Sequence, residues 1–284
     1  MKNVIVTGAA GFTGANLTET LVKHGYHVYG VVRPSSSHNN RIANLENVDL
    51  VPLDTNEIGR LVDYIHEECQ AFIHLSWQGT RDDMDSQFTN IENALDAVKV
   101  AARLGCKEFI GIGSQAEYGV KSHEICEDES LEPINAYGAA KVAAMHLTKT
   151  LAISLGLSWK WGRIFSLYGR YEPSGRMLPD LISNLKAGNE MNLSSCNQYW
   201  DYLDVRDASE AIIAILEKGN AGQVYHIANG DYKPLIDFVK ILQMKYGPDV
   251  SIHYGADPSP YIQLMPSMDK LKKDTGWEPI YKFE

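Results

Sequence analysis

The chain has 284 residues, and its 26 basic against 36 acidic side chains give a formal net charge of -10, which argues against nucleic acid as a partner. Its four cysteines and nine histidines lack metal-binding spacing, so the sequence predicts no metal site and reduced thiols in a cytoplasmic protein. No segment approaches the about 20 consecutive apolar residues that a membrane helix needs, so we expect no membrane partner either.

The first half of the chain alternates short apolar runs with amphipathic segments. Strands are predicted over residues 4–7, 27–32, 48–53, 71–75, 109–113 and 157–165. Helices are predicted between the first two strands, ending near Gly25, and over 58–68, 85–104 and the segment that carries Tyr137 and Lys141. This alternation predicts an α/β fold of the Rossmann type, a doubly wound parallel sheet with helices on both faces.

After residue 165 the predicted strands and helices alternate less regularly. We predict a dinucleotide-binding domain over 1–165 and a smaller C-terminal lobe over 166–284 that binds substrate. A helix is expected over 178–186, a second helix over 205–217 and a strand over 224–227. Because the last two are regular, we expect parts of 202–229 to rejoin the main sheet.

A glycine-punctuated turn follows the first predicted strand. Gly8 permits a tight bend, Gly11 lets the backbone approach a pyrophosphate, and Gly14 allows the following helix to pack on the strand. With Phe12 and Thr13 at the helix N-terminus, the turn predicts a dinucleotide site. Its spacing is one residue longer than the standard fingerprint, so the position between strand and helix carries the argument.

The end of the second strand indicates which dinucleotide binds. An enzyme that prefers NAD presents a carboxylate about 20 residues beyond the glycines, whereas an arginine there accommodates the additional phosphate of NADP. Residues 31–41 contain no carboxylate but contain Arg33, followed by serines that include Ser36. The sequence therefore predicts NADP(H), with Arg33 and Ser36 at the 2′-phosphate and NAD(H) as the alternative.

Tyr137 and Lys141 are four residues apart in a helical segment, so their side chains share one face. A neighbouring ammonium favours the tyrosinate, and we expect it to lower the phenol pKa from its usual value of about 10. Ser114 directly follows the fifth predicted strand, where its hydroxyl can donate to a carbonyl oxygen. Together, Ser114, Tyr137 and Lys141 predict nicotinamide-dependent carbonyl chemistry.

These segments resemble the extended short-chain dehydrogenase/reductase family, in the branch of the NAD-dependent epimerase/dehydratase superfamily that modifies nucleotide sugars. The resemblance rests on the glycine turn, Asp54, His74-Leu75-Ser76, Asn90, Ser114 with Tyr118-Gly119, Tyr137 with Lys141, and the segments 163–169 and 200–207. It implies that Asp54 and Thr55 approach the adenine, that Leu75 and Ser76 line the cofactor ribose, and that Lys141 also binds the nicotinamide ribose. It also implies a homodimer formed through the two long helices.

The resemblance leaves the reaction open among several classes. Relatives that perform 4,6-dehydration carry an Asp-Glu pair just after the Ser114 position, where this chain has Gln115 and Ala116. Glu117 is one residue further on and is expected to face elsewhere, so dehydration is disfavoured. We expect NADPH-dependent reduction of a 4-keto sugar nucleotide, with a 4-epimerase and a non-catalytic NADP sensor as alternatives. Trp77, Ser114, Arg176 and Gln198 are the predicted substrate contacts.

Overall fold

Strands and helices alternate through the first half of the computed structural model, which describes residues 2–255 and 262–284. The strands of this half are β1 (Lys2–Thr7), β2 (Tyr26–Val32), β3 (Val48–Pro52), β4 (Ala71–His74), β5 (Glu108–Ser114) and β6 (Ser158–Ile164). The helices are α1 (Phe12–Lys23), α2 (Met84–Arg103) and α3 (Ala136–Ser154). Short 3₁₀ helices cover Ser37–Arg41, Thr55–Asp63 and Gln115–Glu117.

Elements in the second half of the chain are shorter. Its strands are β7 (Ser166–Tyr168), β8 (Met191–Leu193), β9 (Tyr199–Trp200), β10 (Tyr202–Asp204), β11 (Val224–Ile227), β12 (Lys233–Pro234) and β13 (Ile252–Tyr254). Its helices are α4 (Met177–Ala187), α5 (Val205–Lys218), α6 (Leu235–Tyr246) and α7 (Asp269–Thr275).

A parallel sheet of seven strands in the order β3-β2-β1-β4-β5-β6-β11 forms the centre of the protein. The predicted α/β fold class is therefore confirmed. The chain runs outward from β1 to β3 and then crosses to β4 on the other side of β1, so the strand order reverses between β1 and β4. Ligands of such sheets bind at this reversal, beyond the carboxyl ends of the strands.

Alternation along β1 explains why both faces of the sheet are covered. Val4 and Val6 face one way and join the core beneath α1 and α5, whereas Ile5 faces the other way and joins the core beneath α2 and α3. A third apolar cluster joins Leu181 of α4 to Phe238 of α6 and forms the centre of the smaller lobe. Strand β11 and helix α5 pack with the main sheet although they lie beyond residue 165.

One predicted element has a different type in the structure. The segment expected to be an α-helix over 58–68 is instead the 3₁₀ helix Thr55–Asp63. Gly59 lies in its middle, and glycine costs about 1 kcal/mol relative to alanine in an α-helix. Asp54 caps its start by accepting a hydrogen bond from the Asn56 N–H at 3.1 Å.

Candidate active site

A cavity of about 800 Å³ lies between the two lobes, at the carboxyl ends of β1, β4 and β5. It brings together eleven residues that the sequence predicted to be functional: Gly8, Gly11, Phe12, Thr13, Gly14, Leu75, Trp77, Ser114, Tyr137, Lys141 and Arg176. These residues come from segments that are far apart in the sequence. The predicted catalytic and glycine-turn residues therefore face one common space.

Six other predicted site residues do not line this cavity: Arg33, Ser36, Asp54, Thr55, Ser76 and Gln198. Arg33 is exposed after β2, and the Ser36 hydroxyl accepts a hydrogen bond from the His38 N–H at 3.3 Å. The hydroxyl oxygen of Ser76 and the amide oxygen of Gln198 are buried without a hydrogen-bond partner among the described residues. Each of these two atoms is thus a buried polar group whose hydrogen-bonding capacity the described residues leave unsatisfied.

The glycine turn is too closely packed for larger residues. A Cβ atom on Gly14 would lie 2.1 Å from the Gly8 carbonyl oxygen, and one on Gly8 would lie 3.2 Å from the backbone of Ser76. Gly8 also has a φ of 67°, in the left-handed region that favours glycine. The sequence of the turn is therefore dictated by the approach of α1 and the β4 loop to its backbone.

The N-terminus of α1 opens on the cavity through Phe12, Thr13 and Gly14. Its N-cap residue, Gly11, provides no side-chain hydrogen bond, and the first turn of the helix contains no acidic residue. Its first backbone N–H groups and the positive end of the helix dipole therefore favour an anion. Together with the close packing of the glycines, this arrangement fits the pyrophosphate of a dinucleotide.

The position of Tyr137 is determined by the start of α3. Asn135 caps the helix by accepting a hydrogen bond from the Gly138 N–H at 2.8 Å. The N–H of Tyr137 donates to the carbonyl oxygen of Arg81 at 2.9 Å, so the first turn of α3 is attached to the loop after β4. The half-buried Tyr137 ring thereby lines the cavity.

Lys141 lies one turn further along α3 and is buried, with 4% of its surface exposed. Its ammonium donates to the Ile112 carbonyl oxygen at 2.7 Å and lies 3.5 Å from the centroid of the Trp77 ring. The Tyr137 ring is further away, at 5.8 Å from the same nitrogen. Burial lowers the pKa of Lys141 to about 7, so this side chain can gain or lose a proton near neutral pH.

The pKa of Tyr137 differs from the sequence-based expectation. We expected Lys141 to lower it, but burial raises the pKa of Tyr137, and a hydrogen bond with Ser114 only partly opposes this effect. The expectation was wrong because it counted the charge of the ammonium and not the loss of water around the phenol. Tyr137 therefore holds its proton at neutral pH.

Ser114 ends β5 and begins the following 3₁₀ helix. Its hydroxyl accepts a hydrogen bond from the Ala116 N–H at 3.2 Å, and its own N–H donates to Glu117 Oε1 at 2.8 Å. Glu117 is fully buried, and its other carboxylate oxygen accepts a hydrogen bond from Arg163 Nε at 2.7 Å. The Glu117 carboxylate thus faces the protein core, and Gln115 is the side chain of this segment that lines the cavity beside Ser114.

Residues 4–229 match the model of the NAD dependent epimerase/dehydratase family. The chain belongs to this family. The resemblance inferred from the motifs is thereby confirmed, and the protein is an enzyme of the extended short-chain dehydrogenase/reductase type. The alternative of a non-catalytic sensor is set aside.

Proteins that are similar in sequence to this chain include both dehydratases and epimerases. The chain is 26% identical to the dTDP-glucose 4,6-dehydratase of Xanthomonas campestris, over 100% of this chain and 90% of the relative. It is 23% identical to the UDP-glucose 4-epimerase of Corynebacterium glutamicum, over 97% of this chain and 90% of the relative.

Solved structures of similar proteins show the same fold over nearly the whole chain. The dTDP-glucose 4,6-dehydratase of Bacillus anthracis, in complex with NAD, has a TM-score of 0.88 at 21% identity, covering 100% of this chain and 93% of that one. The UDP-glucose 4-epimerase of Thermotoga maritima, with UDP-glucose, has a TM-score of 0.87 at 24% identity, covering 99% of this chain and 94% of that one.

Two charged residues of the cavity in this epimerase/dehydratase family member were not predicted from the sequence. Arg81, in the loop after β4, and Glu172, after β7, both line the cavity. Arg81 and Arg176 are exposed, and their positive charges act to lower the pKa of Tyr137. Arg81 could have been predicted from its place in the loop that follows β4, because the carboxyl end of this strand borders the site.

The helices of the described residues include none that is long and apolar enough to cross a membrane.

Proposed function

We propose that this enzyme uses NADPH to reduce the 4-keto group of a nucleotide-linked deoxysugar, with Tyr137 as the proton donor. The relatives named above act on dTDP-glucose or UDP-glucose, which supports a nucleotide sugar as the substrate class. The cavity extends from the glycine turn to Arg81 and Arg176, whose positive charges suit a substrate diphosphate. Trp77 and Gln198 remain proposed contacts of the sugar or the base.

The glycine turn and the N-terminus of α1 would hold the cofactor diphosphate, and the buried Ser76 hydroxyl would meet its ribose. When bound, the nicotinamide cofactor supplies the hydride that reduces the carbonyl.

Preference for NADP rests on the segment after β2, which has no carboxylate. Arg33 is exposed there, with Ser36 three residues further on. Arg41 lies at the end of the same segment, and its Nη1 donates to the Ala10 carbonyl oxygen of the glycine turn at 3.1 Å. Arg33 and Arg41 are therefore the two guanidinium groups that we propose for binding of the 2′-phosphate.

Because burial raises the pKa of Tyr137 above its usual value, the phenol is protonated at neutral pH and has a proton to donate. As the carbonyl carbon is reduced, Tyr137 delivers its proton to the oxygen. Ser114, which lines the cavity together with Tyr137, orients that oxygen. The ammonium of Lys141 stabilises the tyrosinate that is left behind, and its pKa of about 7 allows it to pass on a proton.

The orientation of Glu117 is the observation that favours redox chemistry without dehydration. Elimination of water needs an acid and a base besides Tyr137. In the segment after β5, Gln115 lines the cavity but carries no ionisable group, Ala116 is apolar, and the Glu117 carboxylate is buried in an ion pair with Arg163. This segment therefore offers no free carboxylate to the substrate.

A 4-epimerase is the second candidate, because two epimerases are among the relatives and solved structures named above. Tyr137 would then act alternately as base and acid at the same carbon. An epimerase retains its cofactor through the cycle, whereas a reductase must release the oxidised cofactor at each turnover.

We also propose a homodimer that forms through α2 and α3. Large apolar side chains on these two helices are exposed: Phe88 at 60%, Leu147 at 47% and Ile153 at 60%. Their burial against the same helices of a second copy would remove this apolar surface from water. A cytoplasmic location remains a prediction from the sequence.

A substrate panel tests the proposed function. The purified chain is mixed with NADPH or NADH and with 4-keto-6-deoxyglucose linked to dTDP, UDP, GDP or CDP, and cofactor absorbance at 340 nm is followed. We expect oxidation of NADPH with at least one ketosugar and a preference for NADPH over NADH. In a parallel incubation with UDP-glucose, its conversion to UDP-galactose without net change of cofactor would instead identify the epimerase. A large preference for NADH in the ketosugar panel would contradict the cofactor assignment.

A further inference from the structure

Trp77 is held in one orientation by hydrogen bonds to the start of α2. Its indole N–H donates to Gln87 Oε1 at 2.8 Å, and Gln87 Nε2 donates in turn to the Thr80 carbonyl oxygen at 2.8 Å. Gln87 is buried, with 2% of its surface exposed. The plane of the indole ring is therefore fixed by the loop that connects β4 to α2.

The fixed indole contacts both side chains of the proposed proton donor pair. The Lys141 ammonium lies 3.5 Å from the ring centroid, over the face of the indole. The Tyr137 ring meets the same indole in a T-shaped arrangement, at 6.1 Å between centroids and with an interplanar angle of 89°. Trp77, in the loop after β4, thus contacts both of these side chains on α3.

An ammonium over an indole face is attracted by the electron density of the ring, most strongly where water is excluded. Lys141 has three N–H donors, and the Ile112 carbonyl oxygen accepts one of them. The indole face lies on another side of the ammonium and offers it a favourable environment in place of water.

The ionisable groups around Lys141 are His74 from β4, Glu117 from the segment after β5, and Tyr137 from α3. Burial lowers the pKa of His74 to about 3, so this ring is neutral, and Glu117 is paired with Arg163. The charge of Glu117 favours the ammonium from a distance, but the hydrogen bond shown for Lys141 Nζ is the one to the Ile112 carbonyl oxygen.

We propose that Trp77 is a positioning residue, whose indole face holds the ammonium of Lys141 against the Ile112 carbonyl and beside Tyr137. Its kinetic consequence rests on the proposed function, whereas the contact itself does not. Trp77 then acts on the reaction through Lys141, in addition to lining the cavity.

Nuclear magnetic resonance of the full chain labelled with [ε-13C]lysine tests the contact. The Lys141 resonance is identified by its loss in Lys141→Met. Because the ammonium lies over the ring, we expect ring-current shielding that disappears in Trp77→Leu and is partly kept in Trp77→Phe. We also expect the leucine variant to lower the pKa of Lys141 by about one unit, since it keeps the burial and removes the cation–π interaction.

The matched control is Lys149, whose ammonium lies 5.4 Å from the ring centroid of Trp159. Its resonance should be the same in all Trp77 variants. Should Trp77→Leu fail to fold, Gln87→Met provides the second variant, because it removes the anchor of the indole N–H and keeps the ring. An unchanged Lys141 resonance in the folded variants would overturn the proposal.

Steady-state kinetics with a ketosugar that the wild type reduces distinguish a positioning role of Trp77 from a direct contact with the substrate. We expect Trp77→Leu to lower kcat roughly tenfold with little change in KM, and Trp77→Phe to restore most of kcat. A rise in KM alone, or unchanged kinetics, would overturn the positioning role. If no ketosugar is reduced by the wild type, the proposed function fails, while the resonance of Lys141 still decides whether the contact exists.

Discussion

Glu117 joins Ser114 to the protein core, since its Oε1 atom accepts a hydrogen bond from the Ser114 N–H at 2.8 Å. The same oxygen accepts from Trp161 Nε1 at 3.1 Å, and the other oxygen pairs with Arg163 at 2.7 Å. Glu117 thus fixes the backbone of Ser114, the serine that we propose orients the substrate carbonyl. The Glu117 carboxylate therefore links the stability of the buried ion pair to the position of Ser114.

Substituting Glu117 tests this link. Glu117→Gln leaves Arg163 as an uncompensated buried charge, and breaking a buried pair costs about 3–5 kcal/mol of unfolding free energy. We expect urea denaturation to show such a loss and kcat to fall because Ser114 shifts. Glu92→Gln, at an exposed position of α2, is the control and should change neither quantity. Wild-type stability and kcat in Glu117→Gln would contradict the assignment.

The glycine turn should not tolerate even one methyl group at Gly14. In Gly14→Ala the new Cβ would lie 2.1 Å from the Gly8 carbonyl oxygen, so α1 has to move away from β1. We expect a loss of stability of about 1–3 kcal/mol and at least tenfold weaker NADPH binding, measured by fluorescence titration. Gly59→Ala is the matched control, because nothing lies within 4 Å of its new Cβ, and it should bind NADPH normally.

Asp201 should give the protein a pH-dependent stability. It is fully buried and accepts hydrogen bonds from the N–H groups of Asn229 and Gly230 at 2.8 and 2.6 Å. Burial nevertheless raises the pKa of Asp201 from 3.8 to about 7. Between these two pKa values the folded state binds a proton at Asp201 that the unfolded state lacks. The stability that Asp201 contributes is therefore fully present below about pH 4 and is lost as the pH rises through 7.

Thermal unfolding of the wild type and Asp201→Asn measures the stability that protonated Asp201 contributes. The experiment covers roughly pH 4.5 to 7.5, the window set by the two pKa values. We expect the advantage of the wild type to be largest at the acid end and to shrink toward the alkaline end. Asp249→Asn, at an exposed position, should follow the wild type throughout. A constant difference between wild type and Asp201→Asn would show that Asp201 does not titrate in this range.

The proposed dimer makes a prediction about exposed apolar residues. Glutamate in place of both Phe88 on α2 and Leu147 on α3 should yield a monomer in light scattering, because it places charges where we expect apolar contact. Met244→Glu on α6 is the control, since Met244 is 79% exposed but lies outside the two long helices. A wild type that is already monomeric would remove the basis of the proposed interface.

Sequence patterns predicted the main sheet well, because parallel strands flanked by helices have clear apolar runs. The predicted strand over 224–227 agrees with β11 at both ends, and the helix over 85–104 differs from α2 by one residue at each end. The short strands of the smaller lobe were not predicted. Strands β9 and β12 have two residues each and pair with each other across more than thirty positions, which no local pattern reveals.

Within the candidate site, the sequence predicted which side chains meet but not their ionisation. The four-residue spacing placed Tyr137 and Lys141 on one face of α3, and both line the cavity. Yet the ammonium lies on the Trp77 ring and the Ile112 carbonyl, contacts that depend on the loop after β4 and on β5. The depth of burial that sets both pKa values is a property of the packed fold, not of the helix spacing.

The most direct measurement follows the hydride and the proton donor together. Wild type and Tyr137→Phe are incubated with a 4-keto-6-deoxysugar nucleotide and NADPH deuterated at the nicotinamide C4, and the sugar product is analysed by mass spectrometry. Tyr64→Phe, at an exposed tyrosine, is the control. We expect deuterium at C4 of the sugar in wild type and control, and a rate lowered roughly 10²- to 10⁴-fold in Tyr137→Phe with NADPH binding intact. Absence of deuterium transfer in the wild type, or an undiminished rate in Tyr137→Phe, would contradict the account.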